Sequence, residues 1–394
     1  MSEFILIDGK NSIYRHQNVN NHLSREDGFP TGAIYGCLNS MLALAKRMPD
    51  AGIAWVWDGR GDTWRHKFMT NMPQLDAKEF PEPELDEDDP ITGMGPSNYV
   101  DNMAQNSMEF LGLDKPDKGI VIRTGRVRKR GYKAQRNYKE VKKKKNEYPE
   151  TPRERALLQL PVLRMILEGC GIRNYEVDSL ECDDLLAMLA KRIIDLDEDS
   201  KVYIHSGDRD FYQLLAWDQV RIITRLKEGK IVKIKAEDVE SEYGVKPKHW
   251  SKFRALTGDS SDNIPHLYKV GAVRARQMLA DGLDPSLSDC KAIPEEIKEK
   301  YAKYFQPHGV ARMWPSLHGN YKLCRLVTDP DDDLLSKEVR EKLEPIFRHL
   351  DSIKRFYRRD KCKTALSYRK VSFVLSRYEL ASILARRETL WAIP

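Results

Sequence analysis

The chain has few of the features that mark exported or membrane-spanning proteins. No uninterrupted apolar run among its 394 residues approaches the roughly 20 residues that a transmembrane helix needs. The N-terminus, MSEFILIDGK, lacks a basic leader followed by an apolar stretch and a small-residue cleavage site. We therefore expect a cytoplasmic protein, either of a bacterium or of a phage-infected host cell.

Cysteine is scarce and irregularly spaced. The six cysteines form no CxxC pair and have no zinc-like spacing, which argues against a disulfide framework and against a cysteine-bound zinc ion. They stand at positions 37, 170, 182, 290, 324 and 362. We expect reduced thiols, with Cys182 pointing into the core.

The net charge of +6 is small, but the charge is unevenly distributed. Residues 126–145 carry eleven basic residues and one acidic residue, whereas residues 76–89 carry eight acidic residues and one basic residue. So dense a basic tract is typical of binding to a phosphate backbone. A solvated helix face or a loop is the alternative interpretation of the same run.

Apolar runs and helical periodicities alternate along the first 235 residues. Strands are predicted at 4–8, 52–57, 174–177 and 201–206, with a hairpin at 220–225 and 230–235; helices are predicted at 31–48, 151–172, 181–194 and 209–215. Strands separated by helices favour a mainly parallel sheet covered on both faces. Beyond residue 236 the pattern predicts helices only. Residues 66–130 have little periodicity and are interpreted as an inserted, partly disordered segment.

Nine carboxylates stand beside the predicted strand ends and tight turns. They are Asp8, Asp58, Glu181, Asp183, Asp184, Asp208, Asp210, Asp259 and Asp262. Ligands of parallel α/β folds bind at the carboxyl ends of strands, where four of these residues fall. If the fold gathers them, like charges a few Å apart cannot all stay ionised unless cations neutralise them. Mg²⁺ or Mn²⁺ is the expected partner, and metal-dependent phosphoryl transfer is the expected chemistry.

Two of these acidic motifs also have a purely structural interpretation. Glu181 and Asp184 are three residues apart and so share one helix face, but acidic residues also suit the positive end of a helix dipole. Asp208 and Asp210 follow a strand, where an Asx-type N-cap is the alternative. The metal-site interpretation depends on the motifs occurring together, after the right elements.

The stretch LTGDSSDNIPHLYKVGAVRARQMLA (256–280) is the most specific in the chain. A turn with free backbone N–H groups before a helix N-terminus predicts a phosphate site. Lys269, Arg274 and Arg276 would add contacts that position DNA without reading its sequence.

These motifs together resemble the 5′-nuclease superfamily, which includes flap endonucleases, phage 5′→3′ exonucleases and the 5′-nuclease domain of bacterial DNA polymerase I. The matching pieces are LIDGKNSIYR, VWDG, YKAQR, ECDD, SGDRDFYQLL and YGVKPKHWSKFRALTGDSSDNIP, within residues 1–65 and roughly 131–285. The resemblance implies an α/β, PIN-like nuclease core at 1–245, with an inserted arch at about 66–150. It further implies a helix-three-turn-helix DNA-binding element at 246–285. A helical extension is expected at 286–394.

The resemblance also implies the roles of individual residues. Asp8, Asp58, Glu181 and Asp183 would hold a first Mg²⁺, Asp208, Asp210 and Asp262 a second, and Asp184 and Asp259 would support the ions through water. Mn²⁺ is expected to substitute. Tyr14 corresponds to the aromatic on which a base stacks, with an ordinary core tyrosine as the alternative. Lys133 and Arg136 correspond to the catalytic basic pair at the foot of the arch.

Further residues are predicted to contact DNA. These are Arg15, Arg65, Tyr132, Lys269, Arg274 and Arg276. The family usually has Gly-x-x-Gly-x-Gly after Ile-Pro, whereas this chain has His266, Lys269 and Gly271 there. Because two of the three glycines are absent, the backbone path of this hairpin is expected to differ from that of the family. A K⁺ site is expected near the same hairpin, and the change of backbone would affect it too.

The predicted function is a structure-specific 5′-nuclease acting on branched or 5′-ended DNA in replication and repair. The enzyme would leave a 5′-phosphate and a 3′-hydroxyl, act as a monomer and work beside replication proteins. One alternative is a phage ribonuclease H-like 5′-exonuclease that removes RNA primers from RNA–DNA hybrids. The other is a DNA-binding protein without catalysis. The acidic run is either a cover for the basic groove or a solubilising loop.

Overall fold

The computed structural model describes residues 2–71, 148–149, 151–227, 230–306, 308–356 and 365–393. By internal contacts the chain divides into two compact units. The first contains the described residues of Met1–Asn71, Tyr138–Lys252 and Cys324–Pro394, and the second contains those of Phe253–Leu323. The basic tract 126–145 and the acidic run 76–89 lie outside the described residues.

A six-stranded sheet forms the centre of the first unit, with the order β3-β2-β1-β4-β5-β6. The strands are β1 (Glu3–Asp8), β2 (Gly52–Val56), β3 (Arg173–Tyr175), β4 (Lys201–His205), β5 (Val220–Lys227) and β6 (Lys230–Ile234). All neighbours pair in parallel except β5 and β6, which form the predicted antiparallel hairpin. The predicted α/β fold with a mainly parallel sheet is confirmed.

The central strands are apolar along their length because both faces of the sheet are covered. Every residue of β2 is buried, as are the last five residues of β1. Continuous apolar runs of this kind are typical of parallel strands that have helices on both sides. In the register, Asp8 stands opposite Val56 of β2, and Ile7 stands opposite His205 of β4. The residues that follow β1, β2 and β4 therefore emerge at the same edge of the sheet.

Helices of the first unit surround this sheet. In chain order they are α1 (Gly9–Val19), α2 (Gly32–Arg47), α3 (Trp64–Asn71), α4 (Pro152–Gly169), α5 (Cys182–Leu196) and α6 (Ala236–Tyr243), with a 3₁₀ helix at Arg209–Ala216. The Thr151 hydroxyl caps α4 by accepting from the backbone N–H of Glu154, and proline follows it at the first helical position. The helices predicted at 31–48 and 151–172 are therefore confirmed, within three residues at their ends.

The second unit consists of helices and turns. Helix α7 (Trp250–Thr257) begins in the first unit and ends in the second, and α8 (Ala272–Ala280), α9 (Glu295–Tyr301) and α10 (Gly309–Cys324) follow. Short 3₁₀ helices lie at Pro247–His249, Cys290–Ala292 and Ala302–Tyr304. Phe305 and Trp314 stack with ring centroids 6.3 Å apart and are both buried. Among the described residues beyond 236 there is no strand, as predicted.

The chain from residue 324 onwards packs onto the core of the first unit. Its elements are α11 (Lys337–His349), a 3₁₀ helix at Ile353–Phe356, α12 (Ala365–Arg377), α13 (Ala381–Leu384) and α14 (Arg387–Ala392). Leu375 of α12 and Ile383 of α13 are fully buried in the same apolar cluster as Ile5, Leu38 and Ile166. The functional domains expected from the sequence, 1–245, 246–285 and 286–394, stay a prediction.

Two expectations from composition can be compared with the described part of the chain. None of its helices is both long and apolar enough to cross a membrane. Its five cysteines are free thiols, and all but Cys290 are buried. Cys182 points into the core, as predicted, with its sulfur 3.2 Å from the carbonyl oxygen of Val56.

Candidate active site

Asp8 lies at the end of β1 and is 4% exposed. Its Oδ1 accepts a hydrogen bond from the backbone N–H of Asn11 at 3.0 Å, which caps α1, and its Oδ2 accepts from the Ser206 hydroxyl at 2.8 Å. Burial raises the pKa of Asp8 to about 6, and the charges of Asp208 and Asp58 act in the same direction against the two hydrogen bonds. Ionised Asp8 therefore costs folding free energy, and part of that cost comes from the nearby carboxylates of Asp208 and Asp58.

Asp58 lies just after β2, and its carboxylate is hydrogen-bonded to the start of α5. Its Oδ1 accepts from the backbone N–H of Cys182 at 2.9 Å. Its Oδ2 forms an ion pair with the ammonium of Lys10, at the start of α1. A lysine beside this carboxylate supplies part of the positive charge that the acidic edge requires.

Glu181 and Asp184 lie at the start of α5, where the sequence predicts them on one helix face. Glu181 is the N-cap residue and Asp184 is in the first turn, 0% exposed. The Arg65 guanidinium donates to Glu181 Oε2 at 3.1 Å and forms a two-pronged contact with Asp184 at 2.6 and 2.8 Å. Asp184 also accepts from Trp64 Nε1 at 2.8 Å and from the backbone N–H of Val327 at 2.9 Å. Asp184 is therefore the centre of a buried hydrogen-bond network.

Asp208 and Asp210 belong to the turn that follows β4. Asp208 accepts from the backbone N–H of Asp210 at 2.9 Å, and so forms the N-cap expected as the structural alternative. The backbone N–H of Asp208 donates to the Ser206 hydroxyl at 3.0 Å, and that hydroxyl donates to Asp8. The cap does not exclude a metal role, because Asp208 also contributes to the raised pKa of Asp8. The turn thus couples the ends of β1 and β4.

The donor set of the first unit fits a hard divalent cation. It consists of carboxylate oxygens from Asp8, Asp58, Glu181, Asp183 and Asp208, with no thiolate, since burial raises the pKa of Cys182 well above its ordinary value. Carboxylate oxygens are the ligands that Mg²⁺ and Mn²⁺ prefer. These five residues are therefore candidate ligands of a divalent ion, and their individual roles stay predictions.

Tyr14 and Arg15 both lie in α1. Tyr14 is half-buried against the core, with the Arg153 guanidinium 5.9 Å from its ring centroid. Arg15 donates to the carbonyl oxygen of Thr224 at 2.7 Å and lies 3.1 Å from Nε2 of His205. Burial, followed by the Arg15 charge, lowers the pKa of His205 to about 3, so the ring is neutral. The nucleic-acid roles of both residues stay predictions.

Arg65 is predicted from the sequence as a DNA contact, but it is buried at 3% exposure. Besides its carboxylate contacts, its guanidinium donates to the carbonyl oxygen of Arg325 at 2.9 Å and stacks over the ring of Trp64 at 4.4 Å. A guanidinium engaged in this way cannot also reach a phosphate, because bidentate contacts use its fork of donors. In this structure Arg65 organises carboxylates.

The second unit holds the acidic turn of the most specific motif. Asp259 accepts from the backbone N–H and the hydroxyl of Ser261 at 2.8 and 2.6 Å, and it forms an ion pair with Arg254. Burial acts to raise the pKa of Asp259, but Arg254 and the Ser261 hydrogen bonds outweigh it and hold the pKa below its ordinary value. Asp262 is buried. The pairing of Asp259 with Ile264 closes the turn.

Gly258 is required at the start of this turn. Its φ of +72° lies in the left-handed region, and a Cβ there would meet the backbone N of His266 at 2.6 Å. The turn continues to Lys269, which has a φ of +53° and whose carbonyl oxygen accepts from Arg274 at 2.8 Å. A side chain other than glycine thus adopts the left-handed conformation where the family has glycine.

The predicted cations of the second unit differ in exposure. Lys269 is exposed, whereas Arg274 and Arg276 are half-buried on α8. The Arg274 guanidinium lies 5.7 Å from the ring centroid of Tyr304. Their contacts with DNA stay predictions. Lys133, Arg136 and Tyr132, the predicted residues of the arch, lie outside the described residues.

Sequence reasoning missed three residues of the acidic edge. Ser206 bridges Asp8 and Asp208, and Lys10 pairs with Asp58. Gln213 donates to the carbonyl oxygen of Asp210 at 2.8 Å and also reaches residues beyond 323. Ser206 and Lys10 could have been found, since each is adjacent to a motif already singled out. Gln213 had no such signal.

The fold of the protein is compared first, because the sheet topology can be matched to solved structures. Among solved structures, the zinc-bound 5′-exonuclease of bacteriophage T5 has a TM-score of 0.53 at 16% identity, over 88% of this chain and 99% of that chain. The T5 flap endonuclease in a pseudo-enzyme–product complex with DNA and metal ions has a TM-score of 0.53 at 15% identity, over 88% and 98%. At these identities the likeness establishes the fold, which is that of the PIN-like 5′-nucleases.

The family follows from the sequence. The family described as 5′-3′ exonuclease, N-terminal resolvase-like domain, matches residues 3–74 and 92–244, more than half of the chain. The protein belongs to this family. The predicted membership of the 5′-nuclease superfamily is thereby confirmed, as is the predicted class of enzyme, a nuclease of the 5′-3′ exonuclease type.

Two relatives illustrate the range of lengths in the family. A 5′-3′ exonuclease of Aquifex aeolicus (strain VF5) is 25% identical over 342 residues, which are 87% of this chain and 88% of that protein. A thermostable DNA polymerase I of Thermus filiformis is 33% identical over 187 residues, 47% of this chain and 20% of the polymerase. The chain thus spans about a fifth of the polymerase and most of the exonuclease.

Proposed function

We propose that the chain is a structure-specific 5′-nuclease that hydrolyses the phosphodiester bonds of DNA with the help of divalent metal ions. One observation carries the proposal. In a member of the 5′-3′ exonuclease family, the buried Asp8 has a pKa raised to about 6 by burial and then by Asp208 and Asp58. Strongly shifted pKa values of this kind cluster at functional sites, where charged groups take part in the chemistry.

Mg²⁺ is the proposed ion, Mn²⁺ is the proposed substitute, and K⁺ is a further candidate near the 258–271 turn. Bound divalent ions would lower the pKa of a water and stabilise charge on the phosphate oxygens during an in-line displacement. The first ion would be held by Asp8, Asp58, Glu181 and Asp183. The second ion would be held by Asp208, Asp210 and Asp262, and Asp184 and Asp259 would support the ions through water. The Glu181 carboxylate is oriented by Arg65, and that of Asp8 by Ser206 and by the backbone N–H of Asn11.

Several side chains are proposed to act on the DNA directly. Lys133 and Arg136 would stabilise the negative charge that develops on the scissile phosphate. Tyr14 would receive a base of the 5′-terminal nucleotide on its ring, since aromatic stacking is tolerant of sequence. Lys269, Arg274 and Arg276 would contact phosphates and so position the duplex.

The proposed substrates are branched or 5′-ended DNA molecules, and the proposed products carry a 5′-phosphate and a 3′-hydroxyl. RNA–DNA hybrids are a second substrate class to be compared. A monomer working in the cytoplasm beside replication and repair proteins is the proposed setting. Family relatives named 5′-3′ exonuclease support the proposed action of the enzyme on 5′ ends.

The test is cleavage of a 5′-labelled double-flap DNA with Mg²⁺ and with EDTA. Asp208→Asn should abolish cleavage, and Lys133→Ala should slow it by about 10²–10⁴-fold, as expected for a group that stabilises transition-state charge. Asp218→Asn is the matched control, because Asp218 is exposed and follows the same 3₁₀ helix at its other end. An all-RNA flap and an RNA-primed flap complete the substrate set.

Metal-dependent cutting near the flap junction, lost in Asp208→Asn and kept in Asp218→Asn, would support the proposal. Faster cleavage of the RNA-primed substrate than of DNA would favour the primer-removing nuclease. Binding of the flap without cleavage under Mg²⁺ and Mn²⁺ would refute a catalytic role and favour the DNA-binding protein.

A further inference from the structure

The four residues Cys324–Val327, here called the clamp segment, lie between two groups of acidic residues. Cys324 is the last residue of α10, and the whole segment belongs to the first unit. Cys324, Leu326 and Val327 are buried, although the segment has no regular secondary structure at Leu326 and Val327. Buried irregular backbone must find hydrogen-bond partners. The partners of this segment are residues of the candidate active site.

One side of the clamp segment contacts the start of α5. The backbone N–H of Val327 donates to Asp184 Oδ1 at 2.9 Å, and the carbonyl oxygen of Arg325 accepts from Arg65 at 2.9 Å. Arg65 in turn holds Glu181 Oε2. Each oxygen of Asp184 accepts two hydrogen bonds, from Arg65 and Val327 and from Arg65 and Trp64. With both oxygens so engaged, Asp184 is suited to positioning other groups.

The other side of the clamp segment contacts the turn after β4. The backbone N–H of Leu326 donates to Gln213 Oε1 at 2.9 Å. Gln213 Nε2 donates to the carbonyl oxygen of Cys324 at 3.2 Å and to that of Asp210 at 2.8 Å. A single amide therefore joins the segment to the acidic turn that carries Asp208 and Asp210.

The clamp segment is also tied from its outer side. Arg325 Nη2 donates to both carboxylate oxygens of Asp332, at 2.8 Å to Oδ1 and 2.7 Å to Oδ2, and both side chains are half-buried. Hydrogen bonds between charged groups are stronger than those between neutral groups, so this pair ties the segment to the residues that follow it. The Arg325 side chain thus holds the segment through Asp332, which is not one of the predicted metal ligands.

We propose that the clamp segment, through Gln213, Asp184 and Arg65, positions the two acidic groups for divalent metal binding. The inference depends on the proposed function, because it concerns the same metal centre. It assigns a role to a stretch of the chain beyond residue 286 that the sequence alone left without one. Groups that orient metal ligands from behind commonly change metal affinity or activity by about 10–100-fold when they are lost.

The test measures binding of Mn²⁺ alone to the full chain by isothermal titration calorimetry, without DNA. Gln213→Leu removes both sides of the amide link and should weaken Mn²⁺ binding by about 10–100-fold. It should lower kcat and leave the KM for flap DNA unchanged. Hydrogen exchange of the peptide containing 324–327 should become faster in the variant, which reports release of the segment.

Gln219→Leu is the matched control. Gln219 also donates to a backbone carbonyl, that of Glu198 at 3.3 Å, but it lies away from the clamp segment in the contacts described. Its Mn²⁺ affinity should equal that of the wild type. Arg325→Met is a second variant in case Gln213→Leu does not fold. It should weaken Mn²⁺ binding in the same direction by releasing the tie to Asp332.

The outcomes separate the two proposals. Suppose that the wild type binds Mn²⁺ and cleaves DNA. If Gln213→Leu then releases the clamp segment but binds Mn²⁺ as tightly as the wild type, the role proposed for the clamp segment is wrong and the proposed function stands. The same conclusion would follow if Arg325→Met folds, shows faster hydrogen exchange at 324–327 and binds Mn²⁺ with unchanged affinity. A wild-type chain that binds no Mn²⁺ would overturn the proposed function and the clamp with it.

Discussion

Asp8→Asn should stabilise the metal-free protein and, in the same molecule, remove the stabilisation that the first divalent ion provides. Asp8 is buried beside Asp58 and Asp208, and its pKa is raised from its ordinary 3.8 to about 6. An asparagine keeps the shape and can still accept from the backbone N–H of Asn11, but it carries no charge. The hydroxyl of Ser206, which now donates to Asp8, can rotate to accept from the amide.

The magnitude follows from the pKa. A rise of about two pH units at about 1.4 kcal/mol per unit corresponds to about 3 kcal/mol of unfolding free energy lost when Asp8 is ionised. Since the amide does not reproduce every contact of the carboxylate, we expect Asp8→Asn to gain about 1–3 kcal/mol at pH 8.

The pH dependence has a definite sign. The folded state holds the Asp8 proton more tightly than the unfolded chain, so this group lowers stability as pH rises from about 4 to about 6. Above pH 6 its cost is fully present, and below its ordinary pKa the cost disappears. The stability difference between Asp8→Asn and wild type should therefore shrink towards zero as pH falls from 8 to 4.

Urea unfolding in EDTA at pH 4, 6 and 8, followed by circular dichroism, measures this difference. Mg²⁺ at about 100 times the dissociation constant of the first site should then stabilise the wild type by about 2.7 kcal/mol through that site at pH 8, and this contribution should be lost in Asp8→Asn. If Asp8→Asn is less stable than wild type at pH 8 in EDTA, the electrostatic cost assigned to Asp8 is wrong. Equal stabilisation of both proteins by Mg²⁺ would place the ion elsewhere.

Further predictions concern the packing and the inserted segment. Leu375→Ala should cost about 2–5 kcal/mol of unfolding free energy, because Leu375 is fully buried in the core cluster. Leu157→Ala, at a position 45% exposed, is its control, and similar losses in both variants would refute the packing of α12 on the core. Deletion of residues 76–90 should tighten DNA binding at low salt if the acidic run covers the basic groove. Unchanged affinity in a filter-binding assay would identify the run as a solubilising loop.

The part of the fold that carries local signals could be predicted from the sequence. β1 and β2 are continuous apolar runs that each lead into Asp-Gly, and that pattern predicts both the buried strand and the position of its acidic residue. Parallel pairing then brings the ends of β1, β2 and β4 to one edge of the sheet. Asp8, Asp58 and Asp208 could therefore be grouped from the sequence alone.

Long-range partners could not be predicted in the same way. Arg65 and Asp184 are 119 positions apart, and a lone arginine after a tryptophan indicates neither burial nor a carboxylate partner. Arg65 is predicted to contact DNA, whereas the fold encloses its side chain. Apolar residues of α12 likewise have helical spacing, but spacing does not reveal which surface they cover. Lys133 and Arg136 stay predictions.

Leu375 and Ile383 are buried in the same apolar cluster as Ile5 and Leu38, and this has a consequence for synthesis of the protein. A chain made from its N-terminus exposes its first strands long before the residues that complete their core are available. The contacts of α13 with α2 also have a very large sequence separation, which slows folding. A ribosome-bound nascent chain that ends at residue 323 would expose apolar surface, attract chaperones and lack the hydrogen bonds of Cys324–Val327. Nuclease activity would thus be withheld until the residues that follow Leu323 have been synthesised.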